Sequence, residues 1–147
     1  MRRRIIIATL DAGGLDYLQA AHIPNIRRLM AGGFCVEGRS VIPSVTNVNN
    51  VSIVTGSHPD AHGITANYWY RPESGDGVYM ESPEFLLAQT VFQKARAAGL
   101  RSALLTSKDK LKRLLEAGSD FSVSAEHPSP ELIERVGPAQ NIYSAAI

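Results

Sequence analysis

Helical stretches that stop on glycine, with a short apolar run between them, most constrain what this chain can fold into. Gln89 to Ala98 has helical spacing and stops at Gly99, Arg101 to Thr106 reads as a buried strand, and Lys108 to Ala117 is helical again and stops at Gly118. Such alternation predicts βαβ units, hence an α/β fold with a mainly parallel sheet and helices on both faces. The start of the chain follows the same grammar. Ile5 to Leu10 is β-branched and nearly continuous, the pattern of a strand covered on both faces, and it runs into the turn Asp11-Ala12-Gly13-Gly14. Asp11 is therefore expected at the C-terminal edge of a strand, where ligand chemistry collects in open α/β sheets.

Pro24 then opens a helix over Asn25 to Ala31, with Ile26, Leu29 and Met30 on one face and Gly32-Gly33 closing it. Phe34 to Ile42 alternates loosely and predicts a second strand reaching Pro43. Val48, Val51, Ile53 and Val54 fit a helix that starts near Thr46 or Asn47 and ends at Gly56. From His62 to Met80 the reading is a hairpin-like excursion: the aromatic Asn67-Tyr68-Trp69-Tyr70, the turn-rich Pro72 to Gly77, then Val78-Tyr79-Met80 as a short strand. The final Tyr143-Ser144-Ala145-Ala146-Ile147 reads as the first turns of a helix with no stop signal. Residues 1–147 are accordingly expected to be the N-terminal portion of a single catalytic domain.

Composition narrows the function classes. With 147 residues and 44% hydrophobic content the chain can bury one core. Fifteen basic residues against 14 acidic leave a formal charge of +1, so no global field draws the chain to nucleic acid or an anionic membrane. The start Arg2-Arg3-Arg4 and the apolar run behind it imitate a signal peptide, but the run stops at Asp11 with no cleavage-type site. No stretch approaches the ~18 apolar residues of a membrane span. The lone Cys35 excludes an internal disulfide, fits a reducing cytoplasm, and between Phe34 and Val36 is expected to be a buried structural thiol.

The most informative stretch runs from Pro43-Ser44-Val45-Thr46-Asn47-Val48-Asn49-Asn50 to Thr55-Gly56, followed by His58-Pro59 and His62-Gly63-Ile64. It sets a hydroxyl, that of Thr46, at the mouth of a helix, where unpaired N–H groups and the positive dipole end favour an anion. On the local pattern alone Thr46 is equally an ordinary N-cap residue. Asp-x-Gly-Gly after the first strand, then Pro-Ser-x-Thr-Asn-x-Asn-Asn-x-Ser-Ile-Val-Thr-Gly, His-Gly-Ile, Asn-Tyr and Lys-Asp-Lys together resemble the phosphonoacetate hydrolases. These are relatives of the nucleotide pyrophosphatase/phosphodiesterases in the alkaline phosphatase superfamily.

That resemblance implies a three-layer αβα fold, zinc-dependent hydrolysis of the C–P bond of phosphonoacetate, and a phospho-threonine intermediate. It makes Thr46 the nucleophile and a zinc ligand, and Asp11 a ligand of the same ion, in a centre of paired zinc ions. Asn67 would hold the phosphonate oxygens. Lys108 and Lys110 would bind the substrate carboxylate and steady the departing acetate carbanion. Lys112 and Arg113 read instead as a solvated basic face, and His58, Asp60 and His62 as a structural loop. His22 and His127 read as surface or capping residues.

The remaining metal ligands called for by the resemblance have no match after Lys110, where only Asp120 and His127 are on offer. The implied partner is a small-molecule phosphonate or phosphate ester, with neither nucleic acid nor membrane, and a homodimer is compatible with the sequence. Two alternatives stand beside this reading: a phosphodiesterase or nucleotide pyrophosphatase of the same superfamily, and a non-catalytic phosphate-binding fragment.

Overall fold

The computed structural model describes residues 4–11 and 13–138. The chain divides into two compact units, Met1–Ser40 and Val41–Ile147. The helix expected at Tyr143 to Ile147 lies outside the described residues.

The first unit contains α1 (Leu15–Ala20) and α2 (Pro24–Gly32). Pro24 sits at the start of α2, where its missing N–H costs nothing, as the sequence predicts. The Arg27 guanidinium reaches the carbonyls of Leu18 at 3.1 Å and Gln19 at 2.8 Å, satisfying acceptors that the end of α1 leaves open. The turn after Leu10 is present, with the Gly13 N–H donating to the Leu10 carbonyl at 3.3 Å.

Three expectations for this unit need correction. Ile5 to Leu10 forms no strand, and Ile5 and Ile6 are 89% and 87% exposed. Phe34 to Ile42 forms none either, with Phe34 88% exposed. A strand exists only against a neighbour that completes its ladder, and among the described residues neither run has one. Cys35 is exposed rather than buried, because the apolar residues on either side of it are exposed too.

The second unit is ordered as α3 (Thr46–Thr55), α4 (Pro59–His62), β1 (Tyr68–Arg71), β2 (Asp76–Tyr79), a 3-10 turn (Pro83–Phe85), α5 (Val91–Ala97), β3 (Ala103–Thr106), α6 (Asp109–Leu115), β4 (Phe121–Ser124) and α7 (Pro130–Val136). β1 and β2 form the expected hairpin, antiparallel, with Tyr68 opposite Tyr79 and Arg71 opposite Asp76. β3 and β4 pair in parallel, Ala103 opposite Phe121 and Thr106 opposite Ser124, with α6 as the crossover packed on both strands. This is the βαβ unit that the glycine-stopped periodicity predicts. Its exposure differs from the expectation: in β3 only Leu104 is buried, and Leu105 is 72% exposed.

The core lies where α3, α6 and β3 meet. Val48 and Val51 of α3, Ile64, Met80, Leu104 of β3, and Leu111, Leu114 and Leu115 of α6 form one buried cluster. Each fully buried aliphatic side chain contributes about 1.5–3 kcal/mol, so α3 is anchored mainly by Val48 and Val51. α5 starts with a capping box, in which Thr90 Oγ1 accepts from the Gln93 N–H and the Gln93 side chain accepts from the Thr90 N–H. Thr90 Oγ1 also donates to the Ala117 carbonyl at 2.6 Å, which fixes the start of α5 to the end of α6. Gly118 is required there: its φ is +89°, and a Cβ would stand 2.6 Å from the Gln93 Cα.

Candidate active site

The N-terminus of α3 is held from three directions, and asparagine supplies each tether. Val45 is the N-cap and makes no side-chain cap bond, so Thr46 is the first helical residue rather than the cap. The Asn67 side chain takes over that function from outside the helix: its Oδ1 accepts from the Asn47 N–H at 3.0 Å. Asn50 Nδ2 donates to the Thr46 carbonyl at 2.9 Å. Asn49 Oδ1 accepts from the Val41 N–H at 3.2 Å and its Nδ2 donates to the Val45 carbonyl, which fixes the segment leading into the helix. The peptide units on both sides of the half-buried Thr46 are thereby constrained.

The geometry also settles which way the Asn67 amide points. An N–H can be met only by the carbonyl end of a carboxamide, so Oδ1 faces Asn47 and Nδ2 is the group left to donate elsewhere. Asn47 is buried, 1% exposed; its Nδ2 donates to the Met80 carbonyl at 2.8 Å, and its Oδ1 has no partner among the described residues.

The open end of the hairpin connects this helix start to α6. The Met80 N–H donates to the Asn67 carbonyl at 2.9 Å, continuing the ladder one step beyond the Tyr68–Tyr79 pair. The chain then tightens, the Glu81 N–H donating to the Tyr79 carbonyl at 2.9 Å. Glu81 meets Lys110 Nζ at 3.6 Å with one carboxylate oxygen and Arg113 at 3.2 Å with the other. Lys110 Nζ also lies 5.9 Å from the centre of the Tyr79 ring. Tyr79, Glu81, Ser82, Pro83 and Arg113 line a pocket of about 270 Å³.

Hydrogen bonds, two backbone steps and a 3.6 Å ion pair thus link Thr46 through Asn67, Met80 and Glu81 to Lys110. Lys108 is the N-cap of α6, half-buried, and its carbonyl accepts from Thr106 Oγ1 at 2.9 Å. Asp11 belongs to the first unit, exposed in the turn after Leu10. Lys112 and Arg113 are not simply solvated: Lys112 pairs with Glu116 at 3.1 Å, and Arg113 bridges Glu81 and Asp109. Burial alone would push the Glu116 carboxyl up, but the Ser122 hydroxyl and the Lys112 ammonium together hold it below its ordinary value.

His62 is structural, as expected, but the expected loop is a one-turn helix, α4, with His58 as its N-cap and Asp60 and His62 within it. It is fully buried; its Nδ1 accepts from the Ile64 N–H at 3.1 Å, which leaves the proton on Nε2, 2.9 Å from Ser52 Oγ. The Ser52 hydroxyl in turn donates to the Val48 carbonyl at 2.7 Å. Burial is the main cause that pushes the imidazole below its usual pKa, and a neutral ring is what the bond from the Ile64 N–H requires.

Asp11 and Thr46 are both oxygen donors suited to a hard or borderline divalent ion, but a zinc centre takes about four ligands. The described residues contain no group of three His, Cys, Asp or Glu side chains able to hold a metal, so they supply at most part of such a centre. No helix among them is long and apolar enough to cross a membrane.

The α/β layout matches the alkaline-phosphatase-like fold of the solved structures it resembles, of which the chain forms a partial domain. The profile of the type I phosphodiesterase / nucleotide pyrophosphatase family matches residues 5–143, and the chain belongs to that family. Among solved structures it is similar to phosphonoacetate hydrolase from Sinorhizobium meliloti 1021 in complex with phosphonoformate, with 41% identity and a TM-score of 0.75. That match covers 88% of this chain and 35% of the other. The same hydrolase in complex with phosphonoacetate matches at 40% identity over the same shares. Among curated proteins, an uncharacterized pyrophosphatase/phosphodiesterase of Schizosaccharomyces pombe is 33% identical over 54% of this chain and 17% of its own length. Human ectonucleotide pyrophosphatase/phosphodiesterase family member 1 is 30% identical over 66% of the chain and 11% of its own length. The chain therefore spans a small part of the curated relatives it matches.

Proposed function

We infer that this chain is the N-terminal portion of an alkaline-phosphatase-like catalytic domain that hydrolyses phosphonoacetate to acetate and phosphate, with Thr46 as nucleophile. The observation that carries the reading is a Thr46 tethered at the start of α3 through Asn67, whose carbonyl accepts from the Met80 N–H one residue before Glu81, the ion-pair partner of Lys110. The 40% identity to a hydrolase solved with phosphonoacetate supports it.

Thr46 Oγ attacks phosphorus, the O–P bond forms and the C–P bond breaks, and the bonding pair departs on carbon. That carbanion is an acetate enolate, and Lys108 and Lys110 steady its charge until it takes a proton and leaves as acetate. The Asn67 amide, its carbonyl already committed to Asn47, donates to the phosphonate oxygens. Water then attacks the phospho-threonine and releases phosphate, returning Thr46. Thr46 would be a ligand of a zinc ion, and the resemblance gives Asp11 the same role. Such an ion supplies a lowered pKa at the coordinated hydroxyl. The site of action is cytoplasmic and the substrate a free small molecule.

The family profile and the curated relatives favour a second reading, phosphodiester or pyrophosphate hydrolysis, with the exposed Tyr68, Trp69 and Tyr70 beside a nucleotide leaving group. A substrate panel on the natural protein separates the two. Turnover of phosphonoacetate that falls by about a thousandfold or more in Thr46→Ala is the expected result for the first. Turnover of diesters alone would replace it with the second.

A further inference from the structure

Lys110 does not stand alone at the start of α6. Its ammonium is bracketed by two groups from the end of the hairpin, the Glu81 carboxylate at 3.6 Å and the Tyr79 ring at 5.9 Å from its centre. The Tyr79 ring is itself braced: the Tyr68 ring meets it edge-on at 5.2 Å and an interplanar angle of 79°. The Tyr68 ring lies directly over Gly77, where any Cβ would collide with it. Glu81 is braced in the same way, because its second oxygen is engaged by Arg113 at 3.2 Å, and Arg113 is held in turn by Asp109 at 3.3 Å. The carboxylate cannot follow Lys110 freely, so it sets where the ammonium sits. Glu81 is moderately shielded, with 23% of its side chain exposed.

We propose that Glu81 and Tyr79 are positioning residues that hold the Lys110 ammonium in place at the site, Glu81 by charge and Tyr79 by its ring face. This deepens the reading of Lys110 as the group that meets the substrate carboxylate, and rests on that reading only for its effect on specificity. Neither residue needs to touch the reacting atoms for this. A long, rotamer-rich lysine gains selectivity for a carboxylate when its position is fixed before the substrate arrives, and the hairpin supplies that fixation.

The test has two arms on the natural protein. In the first, Lys110 is labelled by a limiting amine reagent and quantified by peptide mass spectrometry, with Lys94 as the internal standard. Glu81→Gln should raise Lys110 labelling about two- to fivefold, the range set by a partly exposed ion pair, and Tyr79→Leu should raise it while Tyr79→Phe does not. Arg113→Gln breaks the adjoining pair and leaves Lys110 with its carboxylate, so it should raise labelling by less than Glu81→Gln does. Unchanged Lys110 labelling in Glu81→Gln, or an equal rise in Arg113→Gln, overturns the proposal. Should Glu81→Gln fail to fold, the Tyr79 pair carries the decision.

The second arm compares phosphonoacetate with an aryl phosphate monoester, which has no carboxylate. In Glu81→Gln, kcat/KM should fall about two- to fivefold for phosphonoacetate and stay level for the ester. An equal fall for both, with Lys110 labelling raised, would remove the role of Lys110 toward the substrate carboxylate while leaving its holder intact.

Discussion

Ile5 to Leu10 and Ala103 to Thr106 look alike on paper, and the structure treats them differently. Both are short, apolar and bounded by turn or helix signals. Ala103–Thr106 is a strand, because Phe121–Ser124 lies beside it in parallel register and α6 packs over the pair. Ile5 to Leu10 has no ladder partner among the described residues, and its isoleucines are largely exposed. Apolar pattern states what a segment can become; a strand is completed only when a second segment takes up its N–H and C=O groups. A helix carries its own partners, and so α2, α3, α5 and α6 fall where the sequence puts them.

The sharpest way to break this contrast is to remove one side chain from each region. Leu114→Ala, at a fully buried site of α6, should destabilise the protein by about 2–5 kcal/mol in denaturant unfolding. Ile6→Ala, at a site 87% exposed, should stay within about 0.5 kcal/mol. Equal losses would show that the first run is buried in solution and that the contrast is wrong.

A second, smaller effect lies within the packed region. His62→Ala should cost about 2 kcal/mol, since both the Ile64 N–H and Ser52 Oγ lose their partner in a buried setting. The same histidine should make stability depend on pH. Its pKa is lowered on folding, so the unfolded chain binds the proton more readily; stability is fully present above the ordinary histidine value of 6.5 and is lost as pH falls below it toward the folded value. Unfolding midpoints across that window, compared with His62→Ala, check the sign: the variant should lose the slope.

Asn50→Ala removes the bond to the Thr46 carbonyl and should cost about 1 kcal/mol, with a loss of turnover in the natural protein larger than that loss of stability explains. Smallest of all, Cys35→Ser should leave stability within about 0.5 kcal/mol, and Cys35 should react promptly with a thiol reagent in the folded protein.

Much of the framework that carries the candidate site was legible in advance, and the part that was not has a common cause. The start of α3 at Thr46, its stop at Gly56, the aromatic hairpin and the lysines at the head of α6 are all local signals. The asparagines were legible only as part of a resemblance. Their function depends on residues far along the chain, Asn47 on Met80 and Asn67, Asn49 on Val41. Glu81 was missed for the same reason: a single glutamate between Met80 and Ser82 has no local signature, and its importance comes from meeting Lys110 and Arg113 on another element. β4 and α7 were also left unread, although Ser129 followed by Pro130 is an ordinary helix opening and the Ser129 side chain does accept from the Leu132 N–H.

The chemistry assigned to the head of α3 is decided by where the phosphoryl group goes. We would mix the natural protein with phosphonoacetate, quench in acid within one turnover, and map phosphorylation by peptide mass spectrometry. Phosphate on the peptide containing Thr46, absent in Thr46→Ala together with phosphonoacetate turnover, is the expected result. Turnover that persists in Thr46→Ala, or phosphate captured on a different residue, would contradict the assignment of Thr46 as the nucleophile.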